Sequence, residues 1–185
     1  MSERRRKRYS GADGDGLVAD HHGPETGAPI ILLHGGGQTR RAWDRTAAAL
    51  AQADCLAITV DQRGHGDSDW PEEGAYRFFD FARDAAELAT QVHDNTGQAP
   101  SLVGASLGGI AGLIAQLDTN QHAFSRLILV DITPRMDPRG VSKITGFMRE
   151  NLEEGFATLD EAADAIRSYL PHRKRLRTLL RDFRA

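Results

Sequence analysis

A single serine, Ser106, has neighbours whose spacing favours nucleophilic chemistry. Glycines stand two residues before it and two residues after it, in the run Gly104-Ala105-Ser106-Leu107-Gly108. This G-x-S-x-G pattern is typical of a sharp turn from a strand into a helix, which exposes the serine hydroxyl at the end of the strand. A side chain at either glycine would collide with the neighbouring strand or helix, and the helix N-terminus would direct N–H groups towards developing negative charge. The stretch therefore predicts Ser106 as a nucleophile beside donors for an oxyanion.

The same five residues also fit a glycine-rich turn without chemistry, because glycine and serine are common. An apolar run precedes the turn at residues 100–103, and a helix-compatible run follows it at residues 110–117. This is the context that a nucleophile turn requires. A phosphate-binding loop is excluded, because no Gly-Lys-Ser/Thr follows and the glycines are not spaced as G-x-G-x-x-G.

Two further polar segments follow continuous apolar runs, which are typical of strands buried on both faces of a parallel sheet. His34-Gly35-Gly36-Gly37 follows the run at residues 29–33, and its glycines favour a tight turn with free N–H groups. The segment at residues 61–68, Asp-Gln-Arg-Gly-His-Gly-Asp-Ser, follows the run at residues 56–60.

The elements that would position these segments alternate along the chain. A further strand is expected at residues 126–130, and apolar residues recur at helical spacing in two stretches between the strands: Trp43, Ala47 and Leu50, then Phe81, Ala85, Leu88 and Val92. Alternation of this kind predicts right-handed βαβ units, hence a mostly parallel sheet with helices on both faces. Residues 9–29 are expected to be loops around short strands, with the best strand at 17–19 and with His21 and His22 as loop residues rather than zinc ligands.

The pattern changes after Pro134. Apolar spacing predicts a helix around residues 144–152, and Thr158 to Glu161 resembles a capping box that opens another helix. A basic tail carries a last apolar stripe at residues 176–183. We therefore divide the chain into a core at 1–134 and a helical cap segment with a basic tail at 135–185.

Composition limits the function classes. The 185 residues are 40% hydrophobic and 26% charged, which suits one domain with a substantial core. The net charge of -3 gives no reason to expect nucleic acid, and no apolar run approaches the length of a membrane span. Cys55 is the only cysteine, so no intrachain disulfide is expected and a cytoplasmic location is inferred. The basic run at residues 4–8 lacks the apolar segment of a secretory signal and is expected to be a solvated flank.

In order and spacing, the three polar segments resemble those of the α/β-hydrolase superfamily, in particular its small esterases, epoxide hydrolases and cofactor-free haloperoxidases. The run from Leu129 to Pro134 resembles the strand that precedes the helical cap in that branch. The resemblance covers nearly the whole chain. It implies a partial α/β-hydrolase fold, a small-molecule substrate, and no metal or organic cofactor.

The resemblance also implies roles for individual residues. Ser106 would be the nucleophile, with the backbone N–H of Leu107 as one oxyanion donor. The second donor would be Gly36, with Gly37 as the second choice. An ester is the expected substrate, because opening of epoxides and displacement of halides normally use an aspartate nucleophile; perhydrolysis remains open. His34, Arg63 and His65 would brace the site.

One departure from the family concerns the acid and the base, which follow the serine in this fold in the order acid, then histidine. Asp131 is either the acid or a strand-end residue that braces the cap hinge. The last histidine, His172, lies in a segment rich in Pro, Arg and Lys, without the glycine-containing loop in which the family presents its base. The sequence therefore predicts a nucleophile and an oxyanion hole without a base, as in a truncated hydrolase of low or no activity.

Two functions from different classes remain. The chain is either a serine hydrolase acting on an ester-like molecule, or a non-catalytic binding protein derived from one. Because no strand is expected after residue 131, the strand at 127–130 would form an edge of interior composition, which predicts self-association.

Overall fold

A computed structural model describes residues 4–71, 74–118, 123–133, 142, 146 and 155–169. The strands are β1 (Arg5–Ser10), β2 (Gly16–His22), β3 (Pro29–Leu33), β4 (Leu56–Val60), β5 (Ser101–Ala105) and β6 (Arg126–Val130). The helices are α1 (Asp44–Gln52), α2 (Phe78–Thr96), α3 (Leu107–Asp118) and α4 (Leu159–Tyr169), with a short 3-10 helix at Arg40–Trp43 before α1.

The six strands form one sheet in the order β1-β2-β4-β3-β5-β6. The first two strands run antiparallel to their neighbours, whereas β3, β4, β5 and β6 pair in parallel. The mostly parallel sheet expected from the sequence is confirmed. All four strands expected from apolar runs are present, because an apolar run bounded by turn residues is a strong signal for a buried parallel strand.

Helices cover both faces of this sheet, as the alternating pattern predicts. On one face, the apolar stripe of α2 and Ala115 of α3 are buried against side chains of the strands, among them Ile31, Ile58 and Leu102. On the other face, Ala47 of α1 packs on Leu32 and Ala57, with Trp43 and Leu50 beside them. This two-sided packing fixes the ends of β3, β4 and β5, where the polar segments lie.

The N-terminal region differs from the sequence prediction. Most side chains of the basic run are exposed, as expected of a solvated segment, but the run also enters the edge strand β1 and its cations pair with carboxylates. Arg5 and Lys7 lie 3.0 and 3.2 Å from Glu25, and Arg6 lies 3.1 Å from Asp67. A charged edge strand discourages pairing with another chain. The strand was missed because its residues lack the alternation of a half-buried strand.

The two adjacent histidines are not loop residues either, because both lie buried in β2. The Tyr9 hydroxyl hydrogen-bonds to Nε2 of His21 at 2.7 Å, and Nδ1 of His21 lies 3.2 Å from Glu25. Burial lowers the pKa of His21 to about 4, so its imidazole is neutral near pH 7.

Contacts divide the chain into two units, 1–134 and 135–185. In the second unit, α4 begins at the expected residue, because the Glu161 N–H donates to Thr158 Oγ1 at 3.1 Å. The return bond differs from a regular capping box, since Glu161 Oε2 accepts the N–H of Ala157, one residue earlier, at 2.9 Å. Most of the helix expected around residues 144–152, and the whole stripe at 176–183, lie outside the described residues. Among the described residues, no helix has the length and apolar character needed to cross a membrane.

Candidate active site

The backbone of Ser106 has the strained geometry expected of an exposed nucleophile. It joins the end of β5 to the start of α3 with a φ of 45°, in the left-handed region that non-glycine residues seldom adopt, and its side chain is exposed. Two hydrogen bonds hold this geometry. The Ser106 N–H donates to the Val130 carbonyl at 3.2 Å, and the Ser106 carbonyl accepts from the Ile110 N–H at 2.9 Å.

The glycines around Ser106 are required by close packing of α3 on the sheet. A Cβ added to Gly104 would lie 2.5 Å from the Gly108 carbonyl oxygen, and one added to Gly108 would lie 2.5 Å from Cβ of Leu33 on β3. Real Cβ atoms do not approach this closely, so a larger residue at either position would move the helix. The G-x-S-x-G spacing therefore reflects the contact between α3 and two neighbouring strands.

The glycine turn, which comprises His34–Gly37, lies beside the serine. A Cβ added to Gly35 would be 3.5 Å from Cβ of Ser106, and the Gly108 N–H donates to the His34 carbonyl at 3.2 Å. Within the turn, the Gly35 N–H donates to Gln38 Oε1 at 3.0 Å, and the Gln38 N–H donates back to the Gly35 carbonyl at 3.2 Å. The structure therefore brings together the two segments that the sequence assigned to the oxyanion hole.

The hydrogen bonds of this region leave particular N–H groups available. The Gly37 N–H is occupied, because it donates to Nε2 of His65 at 3.1 Å. Within the part of the chain that the structure describes, the N–H groups of Gly36 and Leu107 donate to no protein acceptor. Free backbone donors beside an exposed serine are what stabilisation of a tetrahedral oxyanion requires.

His34 is buried and braces the turn. Its Nδ1–H donates to the Gly35 carbonyl at 2.8 Å, and its Nε2 accepts the Gln62 N–H at 3.1 Å. Burial lowers the pKa of His34 to about 4. With both nitrogens occupied and the ring neutral, His34 has no lone pair for the Ser106 proton.

The segment after β4 is held by two buried arginines. Arg63 makes a bidentate contact with Asp84 on α2, with both N···O distances 2.6 Å. The Arg40 guanidinium contacts Asp20 and Asp67, each at 2.9 Å, and also Asp61. Arg40 therefore links the 3-10 helix that follows the His34–Gly37 turn to β2 and to the segment after β4.

Sequence reasoning missed Arg40, which stands in an unremarkable pair with the exposed Arg41. The one available signal was Asp61, an acid at the end of a buried strand that needs a cation if its charge is to be buried.

The acid and the base that would activate Ser106 are not found in contact with it among the described residues. Asp131 follows β6 with a φ of 53° and an exposed side chain, next to the Val130 carbonyl that binds the Ser106 N–H. Among the described residues, neither Asp131 nor any histidine hydrogen-bonds to the Ser106 hydroxyl. His172 lies outside the described residues. The same part of the chain contains no group of three or more His, Cys, Asp or Glu that could hold a metal ion.

A family model described as alpha/beta hydrolase fold matches residues 28–175. The chain belongs to this family. The match covers the glycine turn, the segment after β4, the Ser106 turn and the beginning of the helical region.

Individual relatives agree with this assignment. The chain is 31% identical over 150 residues to esterase Rv0045c of Mycobacterium tuberculosis, covering 78% of this chain and 47% of that protein. It is 36% identical over 111 residues to the putative carbamate hydrolase RutD of Variovorax paradoxus, covering 60% of this chain and 40% of that protein. The crystal structure of esterase RhEst1 from Rhodococcus sp. ECU1013 superposes with a TM-score of 0.68 at 29% identity, covering 91% of this chain and 60% of that protein. The chain spans about half the length of the curated relatives it matches.

Proposed function

We propose that this chain carries the nucleophile and the oxyanion hole of a serine hydrolase that acts on carboxylic esters. The observation that carries the proposal is the geometry of Ser106: an exposed hydroxyl at a φ of 45°, beside the glycine turn and the N-terminus of α3. Two of the relatives are named esterases, which supports an ester as the substrate class.

In the proposed reaction, the Ser106 hydroxyl attacks the ester carbonyl carbon and a base takes its proton. The carbonyl oxygen becomes an oxyanion, which the N–H groups of Gly36 and Leu107 stabilise. Collapse of the tetrahedral intermediate expels the alcohol and leaves an acyl group on Ser106, and water then releases the acid. Asp131, which follows β6, is the candidate acid that would orient the base.

We expect slow turnover without an added base. A serine hydroxyl is a weak nucleophile until its proton is accepted, and no described histidine hydrogen-bonds to it. Loss of one triad member leaves a residual acceleration of roughly 10³–10⁴ over water in well-studied hydrolases.

Hydrolysis of p-nitrophenyl acetate by the parent chain and by Ser106→Ala, with and without imidazole in the buffer, tests the proposal. Without imidazole the two proteins should release p-nitrophenolate at nearly the same rate. With imidazole as an external base, the parent should exceed Ser106→Ala. A parent that exceeds the variant without imidazole also supports the nucleophile but shows that a base is present, and His172→Ala then tests that residue. Equal rates under all conditions would contradict the proposal and favour a binding protein.

A further inference from the structure

His65 reaches the glycine turn from the loop after β4. Its contacts determine which of its ring nitrogens accepts a hydrogen bond. The Nδ1–H donates to the Arg63 carbonyl at 2.9 Å, so Nε2 keeps its lone pair and accepts the Gly37 N–H at 3.1 Å. A neutral imidazole has one donor and one acceptor, and both are used here.

The ring of His65 is held in place on several sides. The His34 ring lies 4.9 Å from it and the Phe81 ring of α2 lies 6.4 Å from it, centroid to centroid. The backbone that accepts its Nδ1–H belongs to Arg63, whose guanidinium is clamped by Asp84. The imidazole of His65 is therefore a hydrogen-bond acceptor held in one position, and it does not move together with the glycine turn.

The turn itself needs such an anchor. Three consecutive glycines have little conformational preference, and Gly37 has a φ of 72°. The Gly37 N–H belongs to the peptide that follows Gly36, so anchoring it restricts ψ of Gly36 and prevents rotation of that peptide. Without the anchor, the turn would sample conformations in which the Gly36 N–H is not presented to the oxyanion.

We propose that His65 is a positioning residue that holds the glycine turn, so that the N–H of Gly36 stays preorganised as an oxyanion donor. This inference rests on the proposed function of Ser106. Preorganised donors stabilise the transition state because they need no rearrangement when charge develops. The effect of losing His65 should therefore fall on the rate of the chemical step and not on ester binding.

The experiment compares His65→Leu, which removes the acceptor, with His65→Gln, whose side-chain carbonyl can accept the Gly37 N–H. His93→Leu, at an exposed position of α2, is the matched control for loss of a histidine. Two readouts are measured: the Ser106-dependent hydrolysis of p-nitrophenyl acetate with imidazole, and amide hydrogen exchange of Gly37 and Gly108 by NMR.

We expect His65→Leu to lower kcat about tenfold at unchanged KM, a fraction of the 10²–10³ lost when an oxyanion donor is removed. It should also speed exchange of the Gly37 amide, while the Gly108 amide, bound to His34, exchanges as in the parent. His65→Gln should restore most of kcat, and His93→Leu should match the parent. If His65 had only a structural role, both His65 variants would have a lower melting temperature, and His65→Gln would not recover kcat.

Parental kcat in His65→Leu, or an unchanged Gly37 exchange rate, would overturn the inference. If the parent shows no Ser106-dependent hydrolysis, the proposed function fails instead, and the exchange rates alone decide whether His65 anchors the turn. Unchanged exchange would then overturn the inference, and faster exchange in His65→Leu would support the anchoring.

Discussion

Ser106 keeps a backbone conformation that glycine adopts more readily than serine does. Hydrogen bonds from β6 and from α3 hold Ser106 in this conformation. Strain persists at functional sites when the surrounding structure fixes the backbone in this way. The spacing of Gly104 and Gly108 made this turn predictable, because α3 packs so closely on the sheet that a side chain at either position would clash. The contacts of Arg40 with Asp20, Asp61 and Asp67 were not predictable, because they join segments that only the fold brings together.

The strain at Ser106 gives a prediction at the same scale. Ser106→Gly and Ser106→Ala both remove the hydroxyl, so the difference between them isolates the backbone. At a φ of 45° the glycine variant should be the more stable by about 1 kcal/mol, the reverse of the order at an ordinary helical position. Urea unfolding of the two variants measures the difference. Greater stability of the alanine variant would show that residue 106 is not held at positive φ.

At the scale of elements, β6 is an edge strand of interior composition. It pairs with β5, and no other described strand pairs with it. Ile128 and Val130 are 45% and 38% exposed, and no charged residue stands between Arg126 and Asp131. The opposite edge, β1, is protected by its charges. Apolar runs let the sequence predict the inner strands and this edge, whereas β1 was missed because its residues form neither an apolar run nor an alternating pattern.

The exposed β6 edge predicts that the chain self-associates, because unpaired N–H and C=O groups template pairing with a second strand. Ile128→Lys should shift the population towards the monomer in size-exclusion chromatography with light scattering, over a range of concentrations. Leu117→Lys is the control, since Leu117 is 78% exposed but lies on α3. A parent chain that elutes as a sharp monomer at every concentration would show that the edge is covered.

At the scale of the whole molecule, buried histidines make stability depend on pH. Burial lowers the pKa of His21 and His34 to about 4, below the ordinary value of 6.5. The unfolded chain therefore binds more protons than the folded chain between pH 6.5 and pH 4. The free energy of unfolding should be highest above pH 6.5 and should fall by a few kcal/mol as the pH drops to 4.

Urea unfolding at a series of pH values measures this dependence. His21→Gln should reduce the slope between pH 6.5 and pH 4, because one of the buried rings that titrate in this interval is removed. His93→Gln, at an exposed site, is the matched control. An unfolding free energy that stays level across this interval would contradict the assignment of both rings as buried and neutral.

Covalent capture of the acyl group tests the central claim about this molecule most directly. The chain is mixed with p-nitrophenyl acetate and imidazole, quenched in acid, and analysed by peptide mass spectrometry, with Ser106→Ala treated in parallel. We predict an acetyl group on the peptide that contains Ser106, and no acetyl group on the corresponding peptide of the variant. An unmodified Ser106 peptide, in a chain whose other residues are acetylated equally in both proteins, would contradict the assignment of Ser106 as the nucleophile.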